Sequence, residues 1–173
     1  MIENWMKEQI KIIIEQCKKY MIAGKNNTKG EKMINTKLTR RAMIIAYNAH
    51  MNQLDKAGVP YIYHPIHLAE QMDTEIECIV ALLHDIVEDT NVTLEQLQKE
   101  FPIEVIEALK LLTHDKNTDY IEYIKKLKLN PLAKKIKIAD IKHNSDETRL
   151  ESITLKDVAR RNKYERALEI LKD

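Results

Sequence analysis

Apolar residues recur every three or four positions along most of this chain, a spacing that places them on one face of an α-helix. The first such stretch, residues 2–22, is interrupted by charged side chains at regular intervals and predicts an amphipathic helix. Residues 24–32 (GKNNTKGEK) contain two glycines and little to bury, so they predict an exposed linker. The apolar positions of the first helix are Ile2, Trp5, Met6, Ile10, Ile13, Ile14, Cys17, Tyr20 and Met21.

Capping residues and prolines predict where the later helices begin. Thr36 or Thr39 could cap the first of them, and Pro65 suits the first position of another because it needs no N–H partner there. Thr93 and Gln96 have the spacing of a capping box. No stretch alternates as a strand would and no repeat is present, so the pattern predicts an all-α fold. The predicted helices cover residues 36–54, 65–72, 74–88, 93–100, 102–112, 118–128, 131–145 and 155–171.

The linker divides the chain into an N-terminal helix and linker, residues 1–32, and a main domain, residues 33–173. A length of 173 residues suits one such domain. The first helix could be an added packing element or a dimerisation element, and Trp5 makes a homodimer plausible.

Composition narrows the class of protein without identifying it. Hydrophobic residues make up 44% and charged residues 32%, as in ordinary globular proteins. A net charge of +1 gives no general attraction for nucleic acid or an anionic membrane, so any phosphate site must be local. The N-terminus resembles neither a signal peptide nor a membrane span, and Cys17 and Cys78 have no paired spacing. We therefore expect a cytoplasmic protein.

The string LLHDIVEDT (82–90) carries the most informative chemistry. On the predicted helix, His84 and Asp85 project about 100° apart, and Glu88 and Asp89 follow each of them by one turn. Ionisable groups in so apolar a run need a partner, because burying an unpaired carboxylate is very unfavourable. A metal ion is the natural partner. Glu88 and Asp89 could alternatively be exposed charges at a fraying helix end.

Two other places offer further metal ligands. His64 precedes Pro65 at a predicted helix start, and Asp140 lies among apolar residues in the string KIADIKHN (137–144). Taken alone, His64 could equally cap or pack against the helix, and Asp140 could pair with a lysine. Their combination with His84 and Asp85 gives the order H…HD…D.

With this order in place, the chain resembles the HD-domain phosphohydrolase superfamily, and most of all the hydrolase domain of RelA/SpoT-type enzymes and the small alarmone hydrolases. The resemblance covers roughly residues 36–171 and implies an HD-domain helical bundle, here with an extra N-terminal amphipathic helix. The matching strings are DKAGVPYIYHP (55–65), ALLHDIVEDT (81–90), LLTHDK (111–116) and KIADIKHN (137–144).

The resemblance also implies a role for individual residues. Glu88 and Asp89 match the acidic pair that orients or deprotonates the attacking water. The ion in these relatives is Mn²⁺, although this ligand set also admits Fe, Zn or Mg. The implied metal ligands are His64, His84, Asp85 and Asp140. The implied contacts to the nucleotide are Lys56, Lys116, Asn144, Arg160 and Tyr164.

The implied substrate is a small phosphorylated nucleotide, the alarmone (p)ppGpp, cleaved at its 3′-pyrophosphate. We expect hydrolysis only, because the chain is too short for alarmone synthesis. Asp55 stands where many relatives have an arginine against the guanine ring, and a carboxylate cannot take that role. Recognition of the base therefore stays open.

Two alternative functions remain at this stage. One is another HD-type nucleotidase, acting on a nucleoside monophosphate or on NADPH. The other is a non-catalytic module that binds nucleotide or nucleic acid, although at this net charge a lysine cluster is more often a solvated helix face. The cluster consists of Lys125, Lys126, Lys128, Lys134, Lys135 and Lys137.

Overall fold

A computed structural model describes residues 33–149 and 153–172 of the chain. Within these ranges the fold is all-α, as predicted, and the only β-type pairing is one isolated bridge between Leu54 and Pro60. The predicted helix 2–22 and linker 24–32 lie outside the described residues, and the domain boundary at residue 33 stays a prediction. The helices are α1 (Lys37–Ala49), α2 (Tyr63–Glu70), α3 (Glu75–Leu83), α4 (Ile86–Asp89), α5 (Leu94–Leu97), α6 (Ile103–Leu112), α7 (Tyr120–Leu127), α8 (Pro131–Asn144) and α9 (Leu155–Lys172).

Side-chain caps explain where several helices begin. Thr36, Thr74 and Thr93 each accept a hydrogen bond from the third helical residue, and that residue's side chain accepts one in return. Of the two candidates at the start of α1, Thr36 is therefore the cap. The helix ends at Ala49, short of the predicted residue 54, and Asn52 just beyond it has a positive φ of 69°, which a right-handed helix cannot accommodate.

Two predicted boundaries were wrong in ways that matter for function. Pro65 is the third residue of α2 and not the first. The first four N–H groups of a helix have no partner within the helix, so proline costs no hydrogen bond at this position. The predicted helix 74–88 is two helices, α3 and α4, separated at His84 and Asp85. Asp85 has a φ of −100° and a ψ of −1°, which departs from helical geometry and turns the chain.

Helix α3 lies at the centre of the fold. It contacts α1, α2, α6 and α8, and its residues from Cys78 to Leu83 are all 0% exposed. A helical segment buried on every side has to be apolar all round, as α3 is from Cys78 onward. His84, which follows directly, is therefore carried into the interior.

Helices α8 and α9 complete the wall beside the end of α3. Helix α8 contacts α2, α3 and α6, and α9 contacts α7 and α8. No helix in the described ranges combines the length and the apolar character needed to cross a membrane.

Candidate metal centre and its cavity

The four side chains predicted to hold a metal ion lie together. The donor atoms of His64, His84 and Asp140 lie within 4.8 Å of one another. The Nε2 atom of His64 is 3.2 Å from Nε2 of His84 and 3.2 Å from Oδ1 of Asp140. Oδ2 of Asp85 lies 2.8 Å from Nε2 of His84 and 3.8 Å from Nε2 of His64. We call these four residues the donor cluster.

Each member of the cluster owes its place to the local fold. His64 is on the first turn of α2, and Asp140 is on α8, which packs against both α2 and α3. On a continuous helix His84 and Asp85 would point about 100° apart. The turn between α3 and α4 instead allows both side chains to reach one point.

Hydrogen bonds at the far side of the two imidazole rings leave their Nε2 atoms available. Nδ1 of His84 is 2.8 Å from the carbonyl oxygen of Ala81, which can only accept, so Nδ1 carries the hydrogen. Nδ1 of His64 lies 2.7 Å from Nδ1 of His143. A hydrogen on Nδ1 of His64, donated to His143, completes the same arrangement. With Nδ1 engaged in this way, each ring turns its Nε2 atom toward the cluster, as metal-binding histidines do.

The two carboxylates are oriented by other side chains. The hydroxyl of Tyr61 donates to Oδ2 of Asp85. Asn144 donates to Oδ1 of Asp140 over 2.6 Å, and Nζ of Lys137 donates to Oδ2 over 2.8 Å. Asp140 therefore does pair with a lysine, which was one of its two predicted roles, and it also faces the imidazoles.

The electrostatics of the cluster favour a positive charge at its centre. Burial would lower the pKa of His84, but the charges of Asp85 and Asp140 outweigh it and raise that pKa to about 10. Burial would raise the pKa of Asp140, but the ammonium group of Lys137 and the two imidazoles hold it well below its ordinary value. The surroundings of His84 thus favour positive charge, and two imidazoles with two carboxylates suit a divalent ion.

A cavity of about 260 Å³ opens beside the donor cluster. Glu88 lines it, and its Oε2 accepts a hydrogen bond of 2.9 Å from the backbone N–H of His114. The side chain of Asp89 reaches solvent, but partial desolvation and the negative charges of Asp85 and Glu88 raise its pKa. The lining consists of Asp85, Glu88, His114, Tyr120, Tyr123, Lys137, Asp140, Asn144, Lys163 and Tyr164.

The predicted nucleotide contacts divide into two groups. Asn144 and Tyr164 line the cavity. Lys56, Lys116 and Arg160 are not among the residues that line the cavity. Lys56 and Lys116 are exposed, and Arg160 is paired with Asp157 over 2.8 Å. All five roles stay predictions.

Several lining residues were missed by the sequence reasoning. Tyr120 and Tyr123 lie three residues apart on α7, a spacing that indicates only a buried face. Lys137 was counted with the lysine cluster, and Lys163 carried no signal. In that cluster, Lys125, Lys135 and Lys137 are each paired with a carboxylate, which is typical of helix surfaces and packing contacts rather than of a nucleic-acid interface.

Asp55, at the position where the resemblance leads one to expect an arginine, stabilises its own loop. Its Oδ1 accepts hydrogen bonds of 2.9 Å from the backbone N–H groups of Ala57 and Val59. These bonds hold a tight turn in which Gly58 adopts a φ of 77°. The carboxylate therefore organises the loop before α2.

The chain folds as an all-α domain in which two imidazoles and two carboxylates meet beside a polar cavity. These features are typical of helical proteins that bind a divalent metal ion. The chain belongs to the HD domain family, whose model matches residues 42–158.

Individual relatives carry more specific names. A guanosine-3′,5′-bis(diphosphate) 3′-pyrophosphohydrolase of Haemophilus influenzae is 43% identical over 70 residues, 38% of this chain and 10% of that protein. The bifunctional (p)ppGpp synthase/hydrolase SpoT of Escherichia coli is 32% identical over 123 residues, 62% of this chain and 18% of that protein. The chain thus spans less than a fifth of the length of either relative.

A solved structure of similar fold covers most of the chain. It is described as a metazoan ortholog of SpoT that hydrolyses ppGpp and plays a role in starvation responses. The match has a TM-score of 0.63 and 25% sequence identity, and it covers 80% of this chain and 85% of the other.

Proposed function

We propose that this protein is a metal-dependent phosphohydrolase that removes the 3′-pyrophosphate of (p)ppGpp. The observation that carries the proposal is the convergence of His64, His84, Asp85 and Asp140 beside a cavity that also contains Glu88 and two lysines. The names of the relatives and of the solved structure supply the substrate.

The donor cluster would hold one divalent ion, which we propose to be Mn²⁺. Such an ion lowers the pKa of water from ~15.7 toward ~7 and polarises a phosphoryl oxygen. The cluster's part is to fix the position of the ion, since Ala81, His143, Tyr61, Asn144 and Lys137 hold its four members in place.

Glu88 is the residue best placed to handle the attacking water. Its carboxylate lines the cavity, and the bond from the backbone of His114 fixes one oxygen while the other remains able to accept a proton. A general base is typically worth ~10²–10⁴ in rate. Asp89 is the second member of the acidic pair, and its pKa is raised above the ordinary value of an aspartate.

A second candidate substrate is another phosphorylated nucleotide, a nucleoside monophosphate or NADPH. The observation in its favour is Asp55, whose carboxylate is bonded within its own loop and provides no stacking surface for guanine. Assaying ppGpp, nucleoside monophosphates and NADPH side by side with Mn²⁺ separates the two substrates.

The proposal is tested by Mn²⁺-dependent hydrolysis of ppGpp by the parent and by Glu88→Gln. Glutamine keeps the acceptor for the backbone of His114 but cannot take a proton. We expect kcat to fall by ~10²–10⁴ while bound metal is retained. Glu104→Gln, an exposed carboxylate on α6, is the matched control and should keep the parent's kcat. A parent without ppGpp turnover, or a Glu88→Gln variant as active as the control, contradicts the proposal.

A further inference from the structure

Lys163 is a cation in the cavity wall that has no carboxylate partner among the described residues. It lies on α9, and its side chain lines the same cavity as the donor cluster. Its Nζ lies 4.3 Å from the ring centroid of Tyr120 and 5.3 Å from that of Tyr164. The two rings hold the ammonium group by cation–π contact. Because Lys163 is exposed, its N–H donors face solvent and are available to a ligand in the cavity.

The neighbouring cations differ from Lys163 in this respect. Lys137 is bonded to Asp140, and Arg160 is bonded to Asp157. Partial burial and the positive charges of Lys137 and Arg160 lower the pKa of Lys163, so its ammonium group is repelled by these two cations. A phosphate group bound at Lys163 would offset that repulsion.

The arrangement of the rings separates Lys163 from the donor cluster. Lys137 bonds to Asp140 and lies over the ring of Tyr123, whereas Lys163 lies over the ring of Tyr120. The two tyrosine rings are 5.9 Å apart. The two lysines of the cavity lining thus lie over different tyrosine rings, and of the two it is Lys137 that is bonded to the donor cluster.

We propose that Lys163 binds a phosphate group of the nucleotide other than the one attacked at the donor cluster, an assignment that rests on the proposed function. A substrate with diphosphates at both the 3′ and 5′ positions has two such groups: the 5′-diphosphate and the terminal phosphate of the 3′-diphosphate. A nucleotide with a single phosphate has none. Lys163 would therefore favour multiply phosphorylated substrates.

The test uses Lys163→Met, which keeps an apolar stem over the two tyrosines, and Lys163→Arg, which keeps the charge. Lys172→Met, an exposed lysine at the end of the same helix, is the control. Calorimetry with Mn²⁺ present measures the affinity for GDP, which carries only the 5′ group, and for guanosine, which carries no phosphate. The KM and kcat for ppGpp are measured on the same proteins.

We expect Lys163→Met to weaken GDP binding about tenfold or more, because a charged hydrogen bond is lost. Guanosine binding should be unchanged in this variant. Lys163→Arg should largely restore GDP binding. This result assigns Lys163 to the 5′-diphosphate. Unchanged GDP binding with a raised KM for ppGpp and an unchanged kcat assigns it to the 3′-terminal phosphate. If neither quantity differs from the Lys172→Met control, the proposal is wrong. If the parent binds GDP through Lys163 but does not hydrolyse ppGpp, the phosphate site at Lys163 is supported and the proposed function is wrong.

Discussion

Both carboxylates of the donor cluster accept hydrogen bonds from neighbouring side chains. For Asp85 this neighbour is Tyr61, whose ring also packs against His50 at a centroid distance of 4.8 Å. His50 in turn is bonded to Gln53 over 2.8 Å, so the tyrosine is held from behind as well. Contacts of this kind orient metal ligands, and their removal typically costs about 10–100-fold in metal affinity.

Tyr61→Phe should therefore weaken Mn²⁺ binding about 10–100-fold, because Asp85 loses the bond that orients it while the ring remains packed. Calorimetric titration of Mn²⁺ measures the change, and thermal unfolding checks that the fold is kept. Tyr63→Phe, which alters an exposed tyrosine on the next turn, should bind Mn²⁺ as the parent does. Equal affinities in the two variants would show that Tyr61 does not orient the site.

The sequence predicted the residues of the donor cluster because each belongs to a short string with a recognisable order. It missed Tyr120, Tyr123 and Lys163, because their common position depends on how α7, α8 and α9 pack. Helical spacing indicates that Tyr120 and Tyr123 share a face. It contains no information on which cavity that face borders.

Among the helices, α3 and α8 are joined by ionic contacts as well as by apolar packing. Glu77 closes the capping box of α3, and its Oε1 is 2.8 Å from Nζ of Lys135 on α8. Since α8 carries Asp140 and α3 leads into His84, this contact supports the two elements that supply the cluster. Burial would raise the pKa of Glu77, but the bonds from Lys135 and from the backbone of Asp73 and Thr74 lower it overall.

Glu77→Gln should reduce the free energy of unfolding at about pH 7 by up to ~1 kcal/mol, since glutamine keeps the capping box but loses the ion pair. The pKa in the folded state lies below the ordinary value of 4.5, so this stabilisation is present above that value and is lost as the pH falls through the lowered pKa. Urea unfolding at a series of pH values, with Glu107→Gln on α6 as control, measures it. A difference between parent and variant that persists unchanged in acid would contradict this account.

The break between α3 and α4 shows where apolar periodicity stops being informative. The pattern continues through His84 and Asp85, and neither proline nor glycine marks the interruption. The turn at Asp85 instead coincides with contacts distant in sequence, because there Asp85 approaches His64, which in turn approaches Asp140. By contrast, the caps at Thr36 and Thr93 act locally, and the sequence identified both positions as candidate caps.

For the molecule as a whole, the all-α class and the membership of the HD domain family follow from patterns that the sequence displays directly. The proposed function depends on the tertiary fold, because His64, the His84–Asp85 pair and Asp140 come from three separate parts of the chain. Such a site exists only in the folded protein, so an ion bound there would also stabilise the fold.

The most direct test of the central claim is a calorimetric titration of Mn²⁺ into the parent and into Asp85→Asn, which preserves the size of the side chain and the acceptor for Tyr61. Asp115→Asn, an exposed aspartate outside the cavity, is the control. We predict one ion per chain in the parent and in the control, and an affinity at least about tenfold weaker in Asp85→Asn, because one anionic ligand is lost. A parent that binds no Mn²⁺, or an Asp85→Asn variant that binds it as tightly as the parent, would contradict the account.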